Sequence, residues 1–247
     1  MKITIDCTLF KDCMKAVSGL VDEVSVSVTA TEMAITAMDK ANISMVDFHL
    51  PSESAIDWEV ELTTEKPSEE FSFKLQHLNA ALKRTVKEDV LKLELVKNQL
   101  QLSISGYKKF TIPLLVEDDD KKRQKVPELQ HKAKSTLSVK RLAAAIEDCS
   151  TAGDSIRFSA TEKNLVISAK GDITKAEVTL EGEDVKMEVQ EAQKANYARE
   201  YLKRIVLPSL VDKVELSIGA EYPLWIVYKP KDYKLSFLLA PRVDNSK

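Results

Sequence analysis

Residues 2–21 read KITIDCTLFKDCMKAVSGLV, and the change of period inside this stretch decides the fold. Residues 2–6 alternate apolar and polar, the pattern of a half-buried strand. From Thr8 the period becomes helical, and Leu9, Phe10, Cys13, Ala16, Val17, Leu20 and Val21 fall on one face. Three runs of strand character follow, at 24–29, 33–38 and 42–50. The order is strand, helix, strand, strand, strand.

That order recurs three more times. A strand at 71–75 leads into a helix carrying Leu78, Ala81 and Leu82, then into strands at 90–96, 99–105 and 108–115. A strand at 135–139 leads into a helix carrying Leu142, Ala145, Ile146 and Cys149, then into 155–160, 164–169 and 174–180. The fourth unit opens at 186–189 and passes through a loop into a helix carrying Ala198, Tyr201, Leu202, Ile205 and Val206. Leu207-Pro208 ends that helix, since proline lacks the N–H that would continue it. Strands at 214–218, 224–228 and 234–239 complete the unit.

Residues 117–127 read EDDDKKRQKVP, with four acids, four bases and almost nothing apolar. Such a stretch cannot form core, so it divides the chain into domains 1–116 and 134–247 joined by a connector at 117–133. Each half then holds eight strand-like segments and two helices. Two helices cover only one face of so many strands, which implies an α+β architecture of largely antiparallel sheet.

Composition narrows the function. With 44% hydrophobic and 30% charged residues in 247, the chain has material for real cores. A net charge of -3 excludes a bulk polycation but leaves room for a segregated basic face. All six glycines are isolated, which removes phosphate-cradling dinucleotide and P-loop fingerprints. Cys7, Cys13 and Cys149 have no CxxC spacing and read as buried thiols. His49, His77 and His131 are accompanied by no HExxH, GxSxG or Cys–His pattern. No catalytic residue, metal site or cofactor is nominated, and the chain is not expected to be an enzyme. The longest apolar runs, such as 224–228, are too short to span a bilayer, and residues 1–6 lack the apolar core of a signal peptide. An intracellular protein with no membrane partner is expected.

The helical windows 8–21, 76–87, 138–149 and 196–207 carry a net charge of +6 against -9 for the remainder. Lys11 and Lys15 stand four apart, opposite Phe10, Cys13 and Val17. Lys83, Arg84 and Lys87 oppose Leu78 and Leu82, and Arg199, Lys203 and Arg204 oppose Ala198, Leu202 and Ile205. Cations so spaced reach phosphates without reading bases, which suits sequence-independent contact with a duplex backbone. The ordinary alternative for any single helix is a solvated face. Only recurrence over several helices shifts the balance to the nucleic-acid reading, and only if the fold puts them on one surface.

Two segments carry a family likeness. Met38-Asp39-Lys40-Ala41-Asn42-Ile43-Ser44-Met45-Val46 resembles the Met-Asp segment and following strand of the sliding clamps of the proliferating cell nuclear antigen family, in their archaeal form. Leu238-Leu239-Ala240-Pro241-Arg242 resembles that family's C-terminal Leu-Ala-Pro-Arg signature, and Leu20-Val21-Asp22-Glu23 is a weaker third point. The likeness runs the length of the chain. It implies a trimeric ring, identical or mixed in its subunits, with helices inside and sheets outside. The ring would encircle double-stranded DNA and tether DNA polymerase, a clamp loader and other replication and repair proteins, in the cytoplasm at the nucleoid, or in a nucleus for a eukaryotic source. The alternative is a specialised or checkpoint-type subunit of a heterotrimeric ring. An unrelated α+β enzyme is the rival class, separated by a turnover assay on nucleotides.

The resemblance also assigns residues. Lys11, Lys15, Lys83, Arg84, Lys87, Lys140, Arg141, Arg199, Lys203 and Arg204 would face the channel. Met38, Ile43, Met45, Val126, Pro223, Leu238, Ala240 and Pro241 would form an apolar pocket for short partner peptides. Lys108, Phe110 and Ile112 of one subunit would meet Lys175, Glu177 and Val178 of the next. The third helix departs from the family pattern, since Ala143, Ala144, Ala145 and Glu147 occupy its middle and only Lys140 and Arg141 are basic. A second reading of residues 121–125 as a nuclear localisation run yields to that of a solvated connector.

Overall fold

A computed structural model describes residues 1–116, 125–220 and 222–242. The chain divides into two compact units. Unit 1 comprises Met1–Lys40, Val46–Val126 and Lys231–Leu235, and unit 2 comprises Ala41–Met45, Pro127–Pro230 and Ser236–Lys247. The cut between Val126 and Pro127 falls inside the expected connector, of which residues 117–124 lie outside the described residues. The short exchanged segments, 41–45 and 231–235, have no signature in the sequence.

In unit 1, β1 (Lys2–Asp6) leads into α1 (Cys7–Ser18) and then β2 (Glu23–Val28), β3 (Glu32–Met38), β4 (Ser44–Pro51) and a short β5 (Asp57–Glu59). The second repeat is β6 (Glu69–Lys74), α2 (Leu75–Leu82), β7 (Val90–Val96), β8 (Gln99–Ile104) and β9 (Lys108–Pro113). Neighbouring strands run β5-β1-β7-β8-β9 in one row and β4-β3-β2-β6 in the other. The two repeats are thus completed by each other: β1 is antiparallel to β7, and β2 to β6.

Unit 2 repeats the plan. Its elements are β10 (Ala133–Ser138), α3 (Val139–Ser150), β11 (Ser155–Ala160), β12 (Leu165–Lys170), β13 (Lys175–Leu180) and β14 (Lys186–Val189). There follow β15 (Gln193–Ala198), α4 (Arg199–Ile205), β16 (Lys213–Gly219), β17 (Tyr222–Tyr228) and β18 (Lys234–Leu239). The rows are β14-β10-β16-β17-β18 and β13-β12-β11-β15, with β10 antiparallel to β16 and β11 to β15.

The α+β class and the fourfold order are as the sequence implies, with three differences. Each half has nine strands among the described residues, not eight, because β5 and β15 escape the pattern. The fourth repeat therefore begins at β15, and 186–189 is instead the counterpart of β5, pairing with β10 as β5 pairs with β1. Ala198 closes β15 instead of lying in α4. Finally, α2 stops at Leu82, short of residue 87. Thr85 Oγ1 donates to the Leu82 carbonyl (2.8 Å) and Asp89 Oδ2 accepts from Val86 N–H (3.0 Å). These side chains offer the backbone partners that continued helix would otherwise supply.

The helix starts show the same repeat at atomic scale. The first helical N–H of each helix donates to the carbonyl of an aspartate in the companion repeat: Cys7 to Asp89 (3.1 Å), Leu75 to Asp22 (2.9 Å), Val139 to Asp212 (2.9 Å) and Arg199 to Asp154 (3.0 Å). Each bond satisfies one of the donors that a helix N-terminus leaves orphaned. Inside each unit the apolar helix faces cover the sheets, burying Phe10, Met14, Val17, Leu78 and Leu82 in one and Leu142, Ile146, Leu202 and Ile205 in the other. All three thiols are buried and free.

On unit 1, His49 lies between two carboxylates, with Nδ1 3.1 Å from Glu32 Oε2 and Nε2 3.0 Å from Asp47 Oδ2. The hydrogen bond to Asp47 raises the imidazole's pKa, with burial opposing and Glu32 assisting. Burial works to raise the Asp47 carboxyl, but hydrogen bonds from His49 and Thr36, with the charges of His49 and Lys234, hold it below its ordinary value. A raised folded-state pKa stabilises the fold fully below the unfolded value of about 6.5 and loses that contribution as pH rises through the folded value. Wild type should therefore exceed His49→Gln in stability at mildly acidic pH, with the difference shrinking above neutrality. Urea midpoints across a pH series check this, and a difference that grows with pH would refute it.

Candidate nucleic-acid and assembly surfaces

In unit 1, α1 and the end of α2 lie side by side, tied by Thr8 Oγ1 donating to the Lys87 carbonyl (3.3 Å) and Lys11 Nζ to the Thr85 carbonyl (3.5 Å). Lys15, Lys83, Arg84 and Lys87 are exposed, and Lys11 is partly so. Because α2 is short, Lys83 is its C-cap and Arg84 and Lys87 lie in the following turn. In unit 2, Lys140, Lys203 and Arg204 are exposed, while Arg141 and Arg199 are partly covered. Arg199 is paired with Asp154 (2.7 Å) and Lys203 with Glu147 (2.8 Å). Arg141 donates to the Glu181 carbonyl (3.3 and 3.4 Å), and Arg204 lies over the Tyr201 ring.

The apolar set expected for peptide binding divides between units. Met38 and Val126, both half-buried, belong to unit 1. Unit 2 brings Ile43, Met45, Leu238, Ala240 and Pro241 together through Ser44 Oγ donating to the Leu238 carbonyl (2.8 Å) and Ala240 N–H to the Ile43 carbonyl (2.9 Å). Met45 and Leu238 are buried, whereas Ile43 is 38% exposed and Ala240 and Pro241 are partly open. Pro223 stands in an aromatic setting the sequence did not announce. Its carbonyl accepts from Nε2 of His131 (2.8 Å), whose ring is 5.9 Å from Tyr222 and 6.2 Å from Trp225. Burial lowers the His131 pKa, with the hydrogen bond to the Pro223 carbonyl opposing, and the ring packs among these aromatics.

Of the strands that end the rows, β5, β6, β9, β13, β14 and β15 differ in their edges. β5 and β14 are three and four residues long. The edge of β6 receives Leu115 N–H on the Ser72 carbonyl (2.8 Å), and that of β15 receives Arg242 N–H on the Asn196 carbonyl (2.7 Å). Of these six, β9 and β13 are the long ones to which no such covering bond runs among the described residues. On β9, Lys108, Phe110 and Ile112 oppose the buried Ile104, Leu102 and Leu100, so they share the core-facing side. Ile112 is buried, but Phe110 is 39% exposed at the rim. On β13, Ala176, Val178 and Leu180 oppose buried Ala169, Ile167 and Leu165, leaving Lys175 and Glu177 on the outer side. Lys108 is held by Asp89 (3.7 Å) and the Arg84 carbonyl (3.3 Å). Among the described residues no group of three or more His, Cys, Asp or Glu side chains is placed to hold a metal ion, and no helix is long and apolar enough to cross a membrane.

Residues 125–243 match the family model of the proliferating cell nuclear antigen C-terminal domain. The chain is 32% identical over 241 residues to the DNA polymerase sliding clamp of Thermococcus gammatolerans, covering 95% of each, and 32% identical over 243 residues to that of Pyrococcus furiosus with the same coverage. Among solved structures it superposes on the proliferating cell nuclear antigen of Thermococcus kodakaraensis with a TM-score of 0.88 at 26% identity, covering 98% of this chain and 99% of that one. The Entamoeba histolytica protein of the same name shares the fold, with a TM-score of 0.87, 23% identity and 98% coverage of each chain. The chain belongs to the DNA polymerase sliding clamp family, whose fold is the two-unit clamp fold described above.

The burial pattern separates surface from core within the apolar set. Ile43→Ala should change stability by no more than about 0.5 kcal/mol, as exposed substitutions do. Leu238→Ala should cost about 2–5 kcal/mol through the cavity it leaves. Urea denaturation of the two variants measures the contrast, and equal losses would place Ile43 in the core.

Proposed function

We propose that this chain is a subunit of a ring that encloses duplex DNA and tethers DNA polymerase and other replication and repair proteins to it. Membership of the clamp family supports the class of function, and the observation that carries the assembly is the pair of uncovered edges, β9 and β13. A long unpaired edge templates aggregation unless it is used, and head-to-tail use closes a ring when the rotation fits. Phe110 and Val178 share the core-facing side of their edges, so joining β9 to β13 of the next copy would bury them in one continuous apolar layer. Alternation puts Lys109, not Lys108, on the outer side with Glu177. Pro113 closes β9, where a missing N–H costs no central ladder bond.

The cations of the helix faces would contact phosphates without base reading, which permits sliding. Ile43, Ala240, Pro241 and Pro223 offer the accessible apolar surface for short partner peptides. Light scattering on the wild type should give three times 27.7 kDa, about 83 kDa, with Phe110→Asp or Val178→Asp falling to monomer. Assembly only in the presence of sister chains would establish the mixed ring. A monomer under every condition would overturn the proposal.

A further inference from the structure

The helix faces of the two units have the same number of cations but different wiring. Each carries five: Lys11, Lys15, Lys83, Arg84 and Lys87 in unit 1, and Lys140, Arg141, Arg199, Lys203 and Arg204 in unit 2. In unit 1 the aspartates that follow the helices are engaged away from these cations. Asp22 pairs with Lys40 (2.7 Å), and Asp89 accepts from Ser105 (2.7 Å) and Val86 and faces Lys108. Among the described residues, none of the five unit 1 cations forms an ion pair with an acid, Asp12 and Glu88 included.

In unit 2 two acids turn onto the helix face. Asp154, the counterpart of Asp22, takes Arg199, and Glu147 on α3 takes Lys203 on α4. A carboxylate less than 3 Å from an ammonium lies well inside the Debye length of about 8 Å, so an approaching phosphate meets a dipole instead of a free charge. Such a face neutralises fewer phosphates, so a duplex sheds fewer of its own condensed counter-ions on binding and the attraction weakens.

We infer that phosphate contact on this chain is concentrated on the α1–α2 face of unit 1, because Glu147 and Asp154 act as resident counter-ions to Lys203 and Arg199 on unit 2. The inference rests on the proposed DNA-enclosing function and specifies which surface of the subunit performs it. Glu147 and Asp154 are tuning residues in this account: they set how firmly the ring holds DNA without touching it.

The test is the affinity of the full-length protein for linear duplex DNA, read by fluorescence anisotropy across a salt series, with circular dichroism to verify folding. One phosphate contact changes the slope of log affinity against log salt by about 0.9, equivalent to about three- to fourfold between about 50 and 200 mM. Lys83→Ala should reduce the slope by that amount per chain, and Lys203→Ala by less than half as much. Glu147→Gln, which releases Lys203 at nearly constant shape, should steepen the slope and raise affinity about threefold at the low-salt end. Equal losses for the two lysine variants, or no gain from Glu147→Gln, would overturn the inference. Duplex affinity of the wild type that is absent or independent of salt would instead overturn the DNA-enclosing reading itself.

Discussion

The reciprocal exchange between paired repeats is the constraint on which the rest of the structure depends. No strand–helix–three-strand repeat is complete alone, since its first strand pairs with a strand of its companion and its helix begins on a carbonyl of that companion. The helices are too short to persist by themselves: α2 has eight residues and α4 seven, below the roughly 12–15 at which an isolated helix becomes even marginal in water. Their stability comes from the sheet they cover and the donors they satisfy in the partner repeat. The smallest unit that closes its hydrogen bonds is therefore a pair. That pairing also puts two helices side by side, which gathers cations from separate parts of the chain onto one surface.

Much of this was legible because strand and helix periods are local. The order of elements, the core faces of α1 and α3 and the basic positions follow from residue spacing alone. β15 was missed for a physical reason. Gln193, Lys194, Ala195, Asn196 and Ala198 are weak strand formers, and the segment extends because Tyr197 packs edge-on against Phe158 at 5.5 Å and β11 offers a ladder. The over-long reading of α2 followed from counting period while ignoring Thr85 and Asp89, whose side chains compete for the backbone. A stronger repeat signal did stand in the sequence: Asp22, Asp89, Asp154 and Asp212 each precede the strand that follows a helix. Its meaning emerges only when the carbonyls are seen to receive helix N–H groups.

The fourth helix shows how a local stop is reinforced by a distant residue. Leu207-Pro208 discourages further helix, because the residue before proline avoids the α region. The chain has already left the helix one residue earlier, at Val206, which is extended with φ −92° and ψ 102°. Tyr228, from β17, then fixes the end by donating its hydroxyl to the Ile205 carbonyl (2.7 Å) and accepting from Leu207 N–H (2.9 Å). A freed carbonyl and a freed N–H are thus satisfied by one buried phenol, and burial pushes that phenol's pKa up. The site of the stop belongs to the sequence, while its rigidity belongs to the tertiary fold.

Charge is where residue identity and residue behaviour separate most clearly. Lys83 and Lys203 stand in identical Leu-Lys-Arg triplets, Leu82-Lys83-Arg84 and Leu202-Lys203-Arg204, one capping α2 and the other inside α4, and no pattern in the sequence ranks one above the other. The difference arises on the facing helix, where Glu147 stands 2.8 Å from Lys203, while Lys83 forms no ion pair among the described residues. An exposed pair of this kind adds little to stability, about 0–1 kcal/mol. Its larger effect is on the field outside the protein, because it removes a free charge without removing a cation. A basic residue on a helix face is therefore an incomplete description of a phosphate contact, and the acid on the neighbouring helix completes it.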